Sequence, residues 1–206
     1  QYFAQPHNVR WGHTAIAGGG RLYSAVRNPS PRLIVRRVYN GELLWRRDLG
    51  GVPIDYSVMV ADQNNLFLAV DSSVLVYDGE TGVQERVISP AGIPAQIKWM
   101  GLDSDVLYLL AGPADNGDRM SGVNGHGTHL FACDLSSGST RWMHDIGGYV
   151  DNRDVGVSDG SVYYHVRGTA LIARHCSDGS VRWTQTRQSL LDSLDAHLGL
   201  VPGQGG

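Results

Sequence analysis

The chain has 206 residues, enough for one sizeable domain or a single repeat array. Hydrophobic residues make up 42% and charged residues 18%, a globular rather than a disordered mixture, and the net charge of −3 gives no general attraction to nucleic acid or anionic lipid. No apolar run reaches the length of a membrane-crossing helix, and two cysteines are too few to frame the fold with disulfides.

The chain opens on Gln1-Tyr2-Phe3 with no initiator Met, which is expected of a piece cut from a longer or processed precursor. Short strands follow. Residues 14–17, the turn Gly18-Gly19-Gly20, residues 21–26 and residues 33–39 lead into Asn40-Gly41 and then Leu43-Leu44-Trp45. A second unit repeats the order with residues 58–61, 66–70 and 74–77, ending at Thr81-Gly82 and Arg86. The third has residues 99–102 and 106–110. Its partner strand, 129–133, lies beyond an insertion of 15 residues spanning roughly 112–127, and Ser137-Gly138 and Trp142 close the unit. The fourth has residues 155–157, 161–166 and 170–174, then Asp178-Gly179 and Trp183. These runs are rich in Val, Leu, Ile and Tyr and bounded by Gly, Asp, Ser and Asn, the pattern of antiparallel hairpins. Three strands per unit are evident, and a fourth, outer one is sought in segments such as 52–55.

The four glycines are spaced by 41, 56 and 41 residues, a repeat of about 40 residues built from strands, as in propeller blades. The spacing predicts an all-β propeller of about four blades, at 11–50, 54–90, 97–147 and 152–187, followed by a tail, 188–206. Gly41, Gly82, Gly138 and Gly179 are expected at positive φ in tight turns. Asp78 and Asp134, four residues before their glycines, are placed to accept turn amides. Trp45, Trp142 and Trp183 are expected to wedge between neighbouring blades with each indole N–H on a carbonyl, and Arg86 in place of Trp predicts one junction that is weaker or differently built. Residues 106–110 are apolar on both faces, so cover is expected on both sides.

Ala132-Cys133-Asp134-Leu135-Ser136-Ser137-Gly138-Ser139-Thr140-Arg141-Trp142 resembles the blade motif A-x-D-x-x-T-G-x-x-x-W of the pyrroloquinoline-quinone-like (PQQ-like) propellers, the quinoprotein alcohol dehydrogenase-like superfamily. Val76-Tyr77-Asp78-Gly79-Glu80-Thr81-Gly82 is similar, as are Ala173, Gly179 and Trp183, where His175 replaces Asp, and Gly41 with Trp45. The resemblance spans about 11–187 and implies one of two functions. The first is a non-catalytic segment that binds or scaffolds a protein partner through its end loops, of the bacterial type found in outer-membrane assembly lipoproteins. The alternative is a fragment of a quinone-dependent alcohol or sugar dehydrogenase holding PQQ and Ca²⁺, with a base taking the alcohol proton as hydride passes to the quinone. The vicinal cysteine pair of those dehydrogenases is absent, since Cys133 and Cys176 are far apart. No cofactor is expected under the first function, and no catalytic residue is assigned. Four blades imply a partial or open ring completed by another segment or chain, the alternative being a complete ring of four or five blades. Only the resemblance points to a periplasmic or extracellular location.

The insertion offers Asp115, Asn116 and Asp118 as oxygen ligands for Ca²⁺, without the distal Glu of a calcium loop, and His126 with His129 for a transition metal, without a third ligand nearby. The plainer expectation is a polar loop at one end of the propeller. Gly18-Gly19-Gly20 lacks the helix that a phosphate-binding loop needs. No nucleophile-elbow motif supports hydrolase chemistry. Cys133 aligns with Arg174 rather than with Cys176, so buried thiols are expected in preference to a bridge. In the tail, Leu190, Leu191, Leu194 and Leu198 have helical spacing, or mark the start of another blade.

Overall fold

The computed structural model describes residues 13–26, 30–50, 59–114, 125–186 and 188–189. Residues 52–55, Asp115, Asn116, Asp118 and the leucines of the tail lie outside them.

Among the described residues, fifteen strands form three antiparallel sheets. The first holds β1 (His13–Gly18), β2 (Arg21–Val26), β3 (Arg32–Arg37) and β4 (Leu43–Asp48), paired in chain order. The second holds β5 (Met59–Ala61), β6 (Asn65–Val70), β7 (Ser73–Asp78) and β8 (Gln84–Ile88), again in chain order. The third runs through β9 (Gln96–Asp103), β10 (Val106–Gly112), β11 (His126–Asp134), β12 (Thr140–Ser158), β13 (Ser161–Val166), β14 (Ala170–His175) and β15 (Val181–Thr186). β12 has 19 residues and serves two repeats: it pairs with β11 as the last strand of the third and with β13 as the first strand of the fourth. The fourth strand of each unit is the one that carries Trp or Arg86, immediately after the glycine. This corrects the expectation that it lay in a separate segment such as 52–55.

A strand turns successive side chains to opposite faces, and the cores follow that period of two. Leu66 and Leu68 face the first sheet, in a cluster with Tyr23, Leu33 and Val35, while Phe67 between them faces the third sheet with Leu107, Leu109 and Phe131. All seven residues of β10 are buried. Leu107, Leu109 and Ala111 join the cluster shared with the second sheet, whereas Val106, Tyr108 and Leu110 join Val150, Val162 and Tyr164 of the fourth repeat. The two-sided apolar run thus has the cover it requires.

Each glycine turn has one backbone construction. Gly41, Gly82, Gly138 and Gly179 have φ of 73°, 71°, 72° and 72°. Their amides donate to the carbonyls of Arg37, Asp78, Asp134 and His175, at 2.9, 2.9, 2.8 and 2.9 Å. A bulge recurs at the same offset before every glycine, between Val35 and Arg36, Val76 and Tyr77, Ala132 and Cys133, and Ala173 and Arg174. The turn survives whether the residue four before the glycine is Asp, Arg or His, so the backbone defines it and the side chain reinforces it. Asp78 Oδ1 accepts the amides of Glu80 and Thr81, and Asp134 Oδ1 those of Ser136 and Ser137. The hydroxyl of Ser136, then Arg141, then the Ser137 amide hold the Asp134 carboxyl well below the usual carboxylate range.

Candidate functional site

Two kinds of surface stand out: the junctions between repeats, and the end of the sheets that carries the insertion. At the junctions, Trp45 on β4 donates its indole N–H to the Gly79 carbonyl of the next repeat at 2.9 Å, and Trp142 on β12 donates to the Cys176 carbonyl at 3.0 Å. Each indole lies flat against the following glycine corner. A Cβ at Gly82 would stand 2.5 Å from Trp45 Cδ2, and one at Gly179 2.8 Å from Trp142 Cδ2. Glycine is therefore required there twice, for its φ and for the approach of the ring. Between the second and third repeats Arg86 donates to the Ser136 carbonyl at 3.3 Å, and Ile88 lies over the Gly138 corner.

A second contact accompanies each wedge, between the residue six after one glycine and the residue five before the next. Arg47 stacks over the Tyr77 ring, 5.1 Å from its centroid. Ile88 and Cys133 share one apolar cluster. His144 Nε2 accepts from Arg174 Nη2 at 2.5 Å, while Arg174 also donates to Tyr164 Oη at 2.7 Å and to the Gly179 carbonyl at 2.6 Å. A guanidinium only donates, so His144 Nε2 holds a free lone pair and the ring is neutral. Burial first, and the Arg174 charge second, push the His144 pKa below its ordinary value. None of these pairs is visible as a motif. Aligning the four repeats on their glycines is the signal that finds them.

At the insertion end, β11 begins at His126 and β12 passes beside it. His126 Nε2 lies 4.0 Å from Asp151 Oδ2, and its ring is 6.0 Å from the half-exposed Tyr149 ring. Asp151 Oδ1 accepts from the Arg153 amide at 3.0 Å and from Arg153 Nε at 2.7 Å, and Arg153 Nη2 pairs with the other oxygen. Burial works to raise the Asp151 pKa, but the hydrogen bonds and charge of Arg153, together with His126, outweigh it and the pKa falls below the usual carboxylate value. Asn152 ties this patch to the innermost strand of the third repeat, donating from Nδ2 to the Lys98 carbonyl at 3.2 Å. Lys98 is buried, with Nζ on Gln96 Oε1 at 2.6 Å.

His129 stands apart from His126, bonded to Thr128 Oγ1 at 2.8 Å and 4.0 Å from Asp145 Oδ2. The two histidines thus face different carboxylates. Among the described residues no group of three or more His, Cys, Asp or Glu side chains is placed to hold a metal ion. Cys133 and Cys176 are free thiols, the first buried on the side of the second repeat and the second packed between the third and fourth. Burial pushes the Cys133 thiol up to about 11. Two carboxylates, Asp105 and Asp134, converge on the Arg141 guanidinium beside the Gly138 turn.

Solved structures match the chain in fold at low sequence identity. The computationally designed protein Ika8 matches at TM-score 0.58 and 12% identity, over 81% of this chain and 46% of that one. BamB from Moraxella catarrhalis matches at TM-score 0.54 and 11% identity, over 83% and 47%. A europium-containing methanol dehydrogenase matches at TM-score 0.56 and 12% identity, over 88% and 44%. The chain spans less than half the length of each of these structures. No curated protein sequence matches it. Residues 4–153 match the family model described as outer membrane protein assembly factor BamB. With glycine corners and indole wedges repeating through its sheets, the chain belongs to this family of PQQ-like β-propellers.

Proposed function

We propose that the chain is a non-catalytic propeller segment that binds or scaffolds a protein partner, in the manner of an assembly factor, through the loops at its insertion end. The observation that carries this reading is the patch of Tyr149, His126, Asp151 and Arg153. A 55% exposed aromatic ring sits against the His126 ring, and His126 lies 4.0 Å from the Asp151 carboxylate that Arg153 locks, on long strands anchored to the inner strand through Asn152. Rigid aromatic and arginine side chains on a fixed scaffold are the common anchors of protein interfaces. The family description, an assembly factor, supports the same reading. The four blades at 11–50, 54–90, 97–147 and 152–187 act as the frame that holds the loops.

The test has two arms. A photoreactive phenylalanine analogue at position 149 is expected to give a discrete protein adduct in cell-envelope extracts, and the same analogue at position 22 none. PQQ with Ca²⁺, added to the protein as it is, is expected to produce no alcohol-dependent dye reduction. Quinone-dependent turnover would overturn the reading in favour of a dehydrogenase.

A further inference from the structure

The second contacts of the three junctions differ in how they respond to acid. Arg47 on the Tyr77 ring and Ile88 against Cys133 keep their charge near neutral pH, since burial pushes both the Tyr77 hydroxyl and the Cys133 thiol up. His144 against Arg174 does not, because an imidazole takes up a proton in mild acid. Arg174 is buried and fixed on the fourth repeat by two bonds of its own, from Nε to Tyr164 Oη at 2.7 Å and from Nη1 to the Gly179 carbonyl at 2.6 Å. It therefore has no room to turn aside. Its remaining donor, Nη2, crosses to His144 Nε2 on the third repeat. A protonated imidazole has no lone pair, so protonation removes this bond and leaves two cations in contact.

The groups around His144 do not absorb that charge. Arg174 on β14 and His129 on β11 both oppose it. Asp145, beside it on β12, favours it, but its side chain is 71% exposed and screened by water. Tyr164 on β13 offers only a hydroxyl that already accepts from Arg174. The wedge sits two residues before His144 on the same strand. Trp142 donates to the Cys176 carbonyl at 3.0 Å, and Tyr108 Oη reaches the same carbonyl at 3.4 Å. These contacts end on one short stretch of the fourth repeat, 174–176, so parting His144 from Arg174 also draws on the indole. The apolar cluster that Tyr108 and Leu110 share with Val162 and Tyr164 carries no charge and keeps the two repeats packed.

We propose that His144 and Arg174 form an acid-released latch, which holds the Trp142 wedge on the fourth repeat at neutral pH and unseats it when His144 is protonated, while the sheets stay folded. The junction between the first and second repeats has a wedge of the same build and an arginine–tyrosine contact in place of the histidine, so Trp45 stays seated. Burial and Arg174 hold His144 neutral in the closed junction, with its pKa below the ordinary value. The open form therefore binds the proton first and gains population as pH falls from about 6.5. Its share rises at most about tenfold per pH unit, until the closed form is protonated as well. The latch stands on this junction alone, not on what the insertion end binds.

Hydrogen exchange of two indole N–H groups, followed by nuclear magnetic resonance on the intact protein, tests it. Trp142 and Trp45 each donate across one junction, to Cys176 and to Gly79, so the second is a control within the same molecule. Their signals are assigned from Trp142→Phe and Trp45→Phe, and each rate is divided by that of free tryptophan at the same pH. From pH 8 to pH 5.5 the protection of Trp142 is expected to fall several-fold, at most about tenfold, with Trp45 unchanged. In His144→Gln, which keeps an acceptor for Arg174, Trp142 is expected to stay protected at both pH values. Protection of Trp142 that does not change with pH overturns the latch, since the charged ring then swings into solvent and leaves the wedge seated. A fall that persists in His144→Gln overturns it too. So does equal protection of the two indoles at each pH, which would make unfolding of the whole molecule the event that frees them. If His144→Gln does not fold, the comparison of Trp142 with Trp45 in the wild type decides alone.

Discussion

The junction between the first and second repeats and the one between the second and third perform the same task with different chemistry. In the first, a buried indole lies on a bare glycine corner and donates to a carbonyl, and an arginine stacks on the facing tyrosine. In the other, Arg86 stays exposed on the rim, and Ile88 covers the corner from within a cluster of 13 buried residues. A junction between blades therefore needs its corner covered by apolar surface, and which strand position supplies the cover is negotiable. The largest test of that comparison is truncation of the two covers. Trp45→Ala is expected to lower unfolding stability by about 3–5 kcal/mol and Ile88→Ala by about 2–5 kcal/mol, measured by urea denaturation. If Ile88→Ala cost under about 1 kcal/mol, the middle junction would be sealed elsewhere and the equivalence would break.

The corners themselves sharpen the comparison. Gly82 and Gly41 share their backbone conformation but not their surroundings, since only Gly82 carries an indole. Gly41→Ala meets only left-handed strain, about 1–2 kcal/mol. Gly82→Ala adds the displacement of Trp45 to the same strain and is expected to cost about 3 kcal/mol or more. Equal costs would mean that the indole yields freely and that the close approach carries no stability.

The third-to-fourth junction differs from both in holding a histidine, His144, which is expected to make it sensitive to mild acid. His144 is held neutral by burial and by Arg174, so its folded pKa lies below the unfolded value of about 6.5. The unfolded chain then binds the proton first as pH falls. The stability from this group is complete above about pH 6.5 and is lost as pH falls from there through the lower folded pKa. His144→Gln, which keeps an acceptor for Arg174, is expected to remove that part of the slope while leaving stability at pH 8 little changed. Asp145 and His129 also act on His144, so the comparison is made with both intact. An unchanged slope in His144→Gln would assign the acid sensitivity to other groups.

What the sequence makes legible follows from backbone needs. Positive φ at Gly41, Gly82, Gly138 and Gly179 and the two-faced burial of β10 are dictated by residue types in the segments themselves. The wedge contacts of Trp45 and Trp142 are legible for the same reason: a large aromatic at a fixed offset has few places to go. The fourth strand was harder to read, because Leu43–Asp48, Gln84–Ile88 and Val181–Thr186 are largely exposed and carry little apolar alternation. The shared strand Thr140–Ser158 was hidden for a related reason. Its middle, with Gly147 and Gly148, reads as a break, yet the strand passes through it as a bulge. At the insertion end, the pairing of Asp151 with His126 and Arg153 depends on how β11 and β12 come together, which no local pattern records.

The smallest effect is also the most discriminating. Arg86 occupies the Trp position of its repeat, so the repeat pattern alone marks Arg86→Trp as a repair. The structure argues otherwise. The Gly138 corner is already covered, with Ile88 Cγ2 3.4 Å from the position of an added Cβ, so an indole at 86 finds no bare surface to lie on. The side chain it replaces is exposed and makes a single long hydrogen bond, at 3.3 Å. Arg86→Ala and Arg86→Trp are therefore each expected within about 0.5 kcal/mol of the wild type in the same denaturation measurement. A gain of about 2 kcal/mol from Arg86→Trp would mean that the indole had displaced Ile88 and buried its own surface, and that the middle junction had kept the corner open beneath the isoleucine.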